Sequence, residues 1–217
     1  MMFSLNQIKQ CIENCQIAGD VERDSKEFML AAVMIIFSID QLQNKNQLII
    51  IKKKNNLRKH SGQIAFPGGK KESFDSNLKT TALRETHEEI NLKNTDLEIL
   101  GELPFFYTGT GYKVKPIISK LNNNVFLEET LKPDINEIEK IFIADAEELL
   151  SPVNHFRIKA PQNSLMNMTW KVKYKNENIW GLTARLLVTL SAGFNLREYP
   201  PCNDICLLYT SDAADDP

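Results

Sequence analysis

The chain has 217 residues, a formal net charge of −2, 42% hydrophobic and 25% charged residues. That length suits one domain with a well-buried core, and the composition is that of an ordinary globular protein. The near-balanced charge excludes a global attraction to nucleic acid or an anionic membrane surface, so any affinity for phosphate must come from a local patch.

The N-terminal segment predicts a helix over about 4–17, with Ile8, Cys11, Ile12 and Cys15 at helical spacing. It has neither the continuous apolar core nor the small-residue cleavage site of a signal peptide, so cytoplasmic residence is the expectation. Cys11 and Cys15 sit one turn apart with no histidine nearby, which points to a packed helix face rather than zinc. The longest apolar run, Phe28 to Ile39, is too short to cross a bilayer as a helix. Rich in β-branched residues, it predicts a buried strand over 29–38.

A second strand, Gln47 to Lys54, turns basic as it ends, and a loop then leads to a short strand at Gln63 to Phe66. A helix over 76–91 follows, with Asp75 or Ser76 as its N-cap. Strands are expected at 97–106, 112–120 and 138–143, then a short helix within Ala144 to Pro152, which proline ends. Asn167 to Gly181 holds one strand by alternation of Met168, Trp170, Val172 and Tyr174 with lysines. Gly181 to Phe194 reads as a last helix. Elements in this order imply an α/β (α+β) fold, a mixed sheet between helices, in one domain over 1–205. No glycine-rich dinucleotide or P-loop run occurs.

The terminal CLLYTSDAADD, Cys206 to Asp216, resembles a translated transposase adapter used in shotgun sequencing. Residues 206–217 are therefore expected to be a non-native tail and are set aside.

Phe66 to Ile90 carries the chemistry. At about 100° per residue, Leu78, Ala82, Thr86 and Ile90 form an apolar stripe, and Glu85, Glu88 and Glu89 border it. Like charges three and four apart on a helix repel. Such a run is commonly a solvated face, but a rigid Pro67-Gly68-Gly69 turn precedes it, and glycine lets backbone approach a ligand closely. Three anchored carboxylates suit a hard divalent cation such as magnesium, which takes oxygen ligands and completes its shell with substrate phosphates. Arg84 is placed to hold one glutamate by a bidentate contact.

These residues resemble the Nudix hydrolase box, G-x5-E-x7-R-E-U-x-E-E-x-G-U, where U is a bulky aliphatic residue. Gly69 leads, Asp75 takes the first acidic position, and Arg84-Glu85-Thr86-His87-Glu88-Glu89-Ile90-Asn91-Leu92 closes it. The chain departs in having Asp75 for Glu, eight residues instead of seven before Arg84, Thr86 at a bulky position and Asn91 for glycine. Asparagine accepts the left-handed conformation of a helix end.

Leu57 to Gly69 is similar to the second half of a motif of the coenzyme A pyrophosphatases, L-L-T-x-R-S-x2-L-R-x-H-x-G-x-V/I-x-F-P-G-G. In the first half, Ile51, Lys53 and Lys54 stand where Thr, Arg and Ser are usual, and Lys53 loses the guanidinium fork. Gly101 to Ile118 and Trp180 to Arg185 resemble further stretches of the same subfamily.

The resemblance implies a Nudix-type α/β/α sandwich. It implies metal-dependent cleavage of the diphosphate of coenzyme A, or of its acyl or oxidised derivatives, to 3′,5′-ADP and 4′-phosphopantetheine or its derivative. Glu85, Glu88, Glu89 and Arg84 would be the catalytic set. Glu85 and Glu89 would be the principal ligands of Mg2+ or Mn2+, Glu88 a third ligand or the general base, and Gly69 a further contact. Lys53, Arg58, His60, Gly68, Gly69 and Tyr112 are the candidate substrate contacts, whereas Trp180, Thr183, Ala184 and Arg185 are assigned to packing. The partner would be a small molecule, not nucleic acid or membrane, and the chain a monomer or homodimer. The rival readings are a Nudix pyrophosphatase for another nucleotide and a non-catalytic Nudix-fold binding module.

Overall fold

A computed structural model describes residues 3–19, 28–40, 45–55, 62–122, 125, 127–162 and 167–199. Helix α1 (Leu5–Asn14) starts at a capping box in which Ser4 and Gln7 satisfy each other's backbone N–H groups, and it runs on into a 3-10 turn, Cys15–Ala18. Its apolar face buries Ile8, Cys11 and Ile12. Cys11 and Cys15 are free and buried, with Sγ atoms 4.0 Å apart. Their thiols reach the Leu190 and Thr189 carbonyls, so they pack α1 against the last helix.

The long strand β1 (Met29–Asp40) forms the spine of the main sheet. Its alternation sends Met34 and Ile36 to one face and Ile35 and Phe37 to the other, all fully buried, so the sheet is covered on both sides. Strand β2 (Lys45–Lys53) pairs antiparallel with the far half of β1 only, from Ile36 opposite Ile49 to Asp40 opposite Lys45. Beyond that point the two strands splay. The end of β2 takes β3 (Ile64–Ala65), while the near half of β1 takes β4 (Gly68–Lys70), with Ala32 opposite Gly69. The splay brings the Pro-Gly-Gly turn against the middle of the sheet.

Helix α2 (Leu78–Ile90) crosses one face, with Ala82 and Ile90 packed among Met34, Ile36, Ile49 and Ile51. The segment expected to be one strand at 97–106 is two, β5 (Leu97–Glu102) and β6 (Phe106–Tyr107), because Pro104 between them has no N–H for the ladder. Strand β7 (Tyr112–Leu121) runs parallel to β1 and antiparallel to β5 and β6. A short helix not foreseen in the sequence, α3 (Leu127–Thr130), leads to β8 (Ile138–Asp145) on the outer edge of β2. Helix α4 (Ala146–Leu150) follows, capped by Asp145.

The expected single strand after Asn167 is one member of a separate three-stranded sheet, β9 (His155–Lys159), β10 (Met168–Tyr174) and β11 (Glu177–Trp180). A two-residue turn joins β10 to β11, with Lys175 at φ 50°. Helix α5 (Leu182–Gly193) closes the described chain and joins α1, α4 and this small sheet over the second face of the main sheet. The mixed sheet between helices is therefore as expected. No helix among the described residues is long and apolar enough to cross a membrane.

Candidate active site

Asn77, not Asp75 or Ser76, caps α2, accepting the Thr80 N–H at 2.9 Å. Asp75 is recruited elsewhere. Arg84 grips it with Nε and Nη2 at 3.1 and 3.0 Å, and the Glu72 N–H and the Thr81 hydroxyl each reach it at 3.0 Å. The Arg84 guanidinium, against the effect of burial, holds the Asp75 carboxyl well below the usual carboxylate range. The bidentate grip expected on a glutamate thus goes to this aspartate. The remaining nitrogen, Nη1, lies 2.8 Å from both Glu85 Oε1 and Glu88 Oε2, and Nη2 also donates to the Lys70 carbonyl.

The three glutamates are not equivalent borders of a stripe. Their side chains are 17%, 56% and 3% exposed at Glu85, Glu88 and Glu89 respectively. Glu89 points under the Gly68 turn, where the Gly68 N–H donates to Oε2 at 2.9 Å. Lys53 reaches it because β2 alternates Ile49, Ile51 and Lys53 onto the α2 face. Lys53 Nζ pairs with Glu89 Oε1 at 2.9 Å, and no other hydrogen-bond partner of that buried oxygen is seen among the described residues.

Burial pushes the Glu89 carboxyl up to about 7, against the pull of Lys53 and the Gly68 N–H. Burial also raises Glu85, against Arg84. Lys53 is raised as well. Burial works to lower it, but Glu89, Glu137 and Glu85 together outweigh that.

Gly69 meets Glu85 directly. A Cβ on Gly69 would stand 2.5 Å from the Glu85 carboxyl carbon, so any other residue would drive the carboxylate away from the turn. At the far end of α2, Asn91 adopts φ 63° and closes the helix in the left-handed conformation expected of it.

Among the described residues no three carboxylate, histidine or cysteine side chains converge as a ready metal cage. Arg84 Nη1 instead bridges Glu85 and Glu88 as a cation would, and Glu89 lies apart under the turn. The donor set nevertheless fits a hard divalent cation. It consists of carboxylate and backbone oxygens, one of them a buried oxygen met among the described residues by Lys53 alone, beside a glycine that leaves the approach open. Glu85, Glu89 and the Gly69 carbonyl would hold such an ion, with Glu88 reaching it if it leaves Arg84.

A cleft of about 410 Å³ opens beside this corner, within the range of small-molecule sites. Lys53, Gly68, Gly69 and Tyr112, all candidates from the sequence, line it. Arg58 and His60 lie outside the described residues, as does the 206–217 tail. The opposite wall consists of residues the sequence reading assigned to packing or passed over: Arg157, Trp170, Trp180, Thr183 and Arg185. Trp180 is 38% exposed, unusual for a packing tryptophan. The available signal was Arg185 alone among apolar residues in the first turn of a helix. Of the described side chains lining the cleft, Lys53, Lys70, Arg157 and Arg185 are basic and none is acidic.

Comparison with known proteins agrees with the acidic corner. A family model for the NUDIX domain matches residues 29–163. An uncharacterized Nudix hydrolase NudL of Yersinia enterocolitica is 30% identical over 149 residues, covering 69% of this chain and 74% of its own. Another NudL, of Yersinia pestis, is 31% identical over 140 residues, covering 64% of this chain and 68% of its own. The crystal structure of a C. elegans Ap4A hydrolase binary complex matches 54% of this chain and 80% of its own, at TM-score 0.44 and 21% identity. The matched segment takes in the glycine turn, Asp75, Arg84 and all three glutamates, and with this agreement between model and relatives the chain belongs to the Nudix hydrolases, enzymes of pyrophosphate bonds.

Proposed function

We propose that this enzyme hydrolyses the diphosphate of coenzyme A, or of an acyl or oxidised derivative, to 3′,5′-ADP and 4′-phosphopantetheine or its derivative. The observation that carries this reading is the cleft. Its described lining is basic and aromatic without a carboxylate, and it ends at the turn that holds Glu85 and Glu89. Gln63, Ala65, Phe66, Gly68 and Gly69, from the stretch that resembles the coenzyme A motif, line it. A substrate with three phosphates, a base and a long thiol arm suits such a lining.

In the reaction water forms a new P–O bond at one phosphorus of the diphosphate, and the bridging P–O bond breaks toward the other phosphate. Nudix hydrolases use divalent metal ions, and a bound ion supplies charge neutralisation and a lower pKa for water. Glu85, Glu89 and the Gly69 carbonyl are the residues for holding it. Glu88, the most exposed of the three, is placed to accept the proton that the attacking water loses. Lys53 keeps Glu89 in place and offsets its buried charge, and Lys70 brings positive charge to the cleft. Arg84 positions Glu85 and Glu88 without facing the substrate, since its fork is committed to Asp75. Tyr112, at the cleft wall, is a surface for stacking or apolar contact.

The test is a substrate panel of coenzyme A, NADH, ADP-ribose and 8-oxo-dGTP, with magnesium or with chelator, for wild type and Glu89→Gln. Magnesium-dependent release of 3′,5′-ADP by wild type, with coenzyme A the best substrate, is expected. Faster turnover of NADH, ADP-ribose or 8-oxo-dGTP would transfer the enzyme to another nucleotide. Hydrolysis of none would leave a binding module.

A further inference from the structure

The wall opposite the acidic corner has its own anion-binding chemistry. Helix α5 begins at Gly181, φ 71° and ψ −139°, with no side chain capping it. A Cβ on Gly181 would meet nothing within 4 Å, so the glycine serves the backbone conformation that starts the helix rather than a tight fit. The first-turn N–H groups of a helix have no intrahelical acceptor, and they carry the positive end of its dipole. Here the Gly181 N–H already donates to the Trp170 carbonyl at 3.2 Å, and Leu182 and Thr183, the next residues of that turn, line the cleft.

Thr183 is only 8% exposed, and among the described residues its hydroxyl makes no hydrogen bond, yet it lines the same cleft. With no protein partner among the described residues and the cleft beside it, that hydroxyl is available to a ligand oxygen. Arg185 follows two residues later, its guanidinium 4.8 Å above the Phe106 ring and its side chain on the cleft. Arg157, stacked 4.9 Å from Trp170, adds a second guanidinium to the same wall. Trp180, exposed immediately before the helix, offers a flat face at the same end.

We propose that the N-terminus of α5, the Thr183 hydroxyl and Arg185 form a subsite for a phosphate monoester that is not cleaved, with Trp180 stacking on the attached base. The naming of that group as the 3′-phosphate of the adenosine end rests on the coenzyme A reading. Backbone N–H groups at a helix start, a hydroxyl and a guanidinium together match the oxygens of a phosphate dianion. The arrangement orients the substrate. With the adenosine end fixed at α5, the diphosphate lies toward the glycine turn and the acidic corner.

The test is calorimetric titration of the full chain with 3′,5′-ADP, 5′-AMP and inorganic phosphate, for wild type, Thr183→Val and Arg185→Gln, with thermal melts to verify folding. Wild type is expected to bind 3′,5′-ADP about tenfold or more tightly than 5′-AMP, the factor that one charge-assisted hydrogen bond supplies. In each variant the two affinities converge, and in wild type inorganic phosphate competes with 3′,5′-ADP more strongly than with 5′-AMP. Equal affinities in wild type, or a preference retained in both variants, would overturn the subsite. So would phosphate competing equally with both ligands, since it would then sit where the 5′-phosphate binds. Coenzyme A hydrolysis is assayed in parallel to separate the two ideas. Cleavage without the affinity difference removes only the subsite, whereas the affinity difference without cleavage removes only the coenzyme A reading.

Discussion

Two regions of opposite construction flank the cleft, an acidic corner beside its end and a basic wall along it. On one side, α2 and the glycine turn bring Asp75, Glu85, Glu88 and Glu89 around Arg84 and Lys53, a set of anions held by cations. On the other, β9 to β11 and α5 bring Arg157, Arg185, Thr183 and two tryptophans to the cleft, and none of the described side chains lining it is acidic. The first region would handle charge that changes during the reaction, and its most buried carboxyl, Glu89, is pushed up to about 7. The second meets a fixed charge and needs only permanent donors. The family model ends at residue 163, so most of the second wall, from β10 onward, falls beyond the matched segment. On the function and subsite proposed above, chemistry and selectivity fall to different parts of the chain.

That division can be broken by mutation. The largest effect is expected at Glu89: Glu89→Gln should lower kcat by about 10³-fold or more, a loss typical of removing charge stabilisation at the reacting centre. Folding should change little, because the neutral amide resembles the protonated carboxyl that burial favours.

Next comes Arg84→Lys. A lysine cannot span Asp75, Glu85, Glu88 and the Lys70 carbonyl at once, and a loss of about 10- to 100-fold in kcat/KM is expected, as for other residues that orient ligands. Comparison of kcat and KM separates this from the second wall. Trp180→Ala should act chiefly on KM, raising it about tenfold, the worth of one stacked base. If Trp180→Ala lowered kcat as much as Arg84→Lys, the division between the walls would fail.

The pH dependence sharpens the same contrast. The Glu89 carboxyl is raised in the folded state, so between its ordinary value of 4.5 and about 7 the folded chain binds more protons than the unfolded one. Its contribution is therefore fully present below 4.5 and is lost as pH rises toward 7. Without divalent metal, wild type should lose stability over that window through this group, and magnesium should reduce the loss by favouring the charged form. Denaturant midpoints against pH, with chelator and with magnesium, measure it, and Glu89→Gln should not show the metal-dependent difference. The smallest effect belongs far from both walls. Ser4→Ala removes the capping box of α1 and should cost about 1 kcal/mol in a melt, without a change in the substrate panel.

The first wall was legible because its contacts are close in sequence. Gly69, Asp75, Arg84 and Glu89 fall within one turn and one helix, and helical periodicity alone places them together. What the sequence misjudged there was partnership. Arg84 spends its fork on Asp75, which leaves the cap to Asn77, and alternation along β2 delivers Lys53 to Glu89 across the sheet.

The second wall was not legible for the same physical reason in reverse. Arg157, Trp170, Trp180 and Arg185 come from four elements, and only the pairing of β9, β10 and β11 brings them together. The turn between β10 and β11 has Lys175-Asn176 in place of the usual Asn-Gly, so nothing marked a hairpin. Trp180 in an alternating segment reads as core until the small sheet is seen to face a cleft.

Everything proposed for the acidic corner depends on a divalent cation held between the Gly69 turn and α2 by Glu85 and Glu89. It is tested most directly by titrating Mn2+ into the full chain and following the free ion by electron paramagnetic resonance, for wild type, Glu85→Gln and Glu89→Gln. Wild type is expected to bind at least one ion per chain, with an affinity lower by about tenfold or more in both variants. Binding that is the same in all three proteins would contradict it.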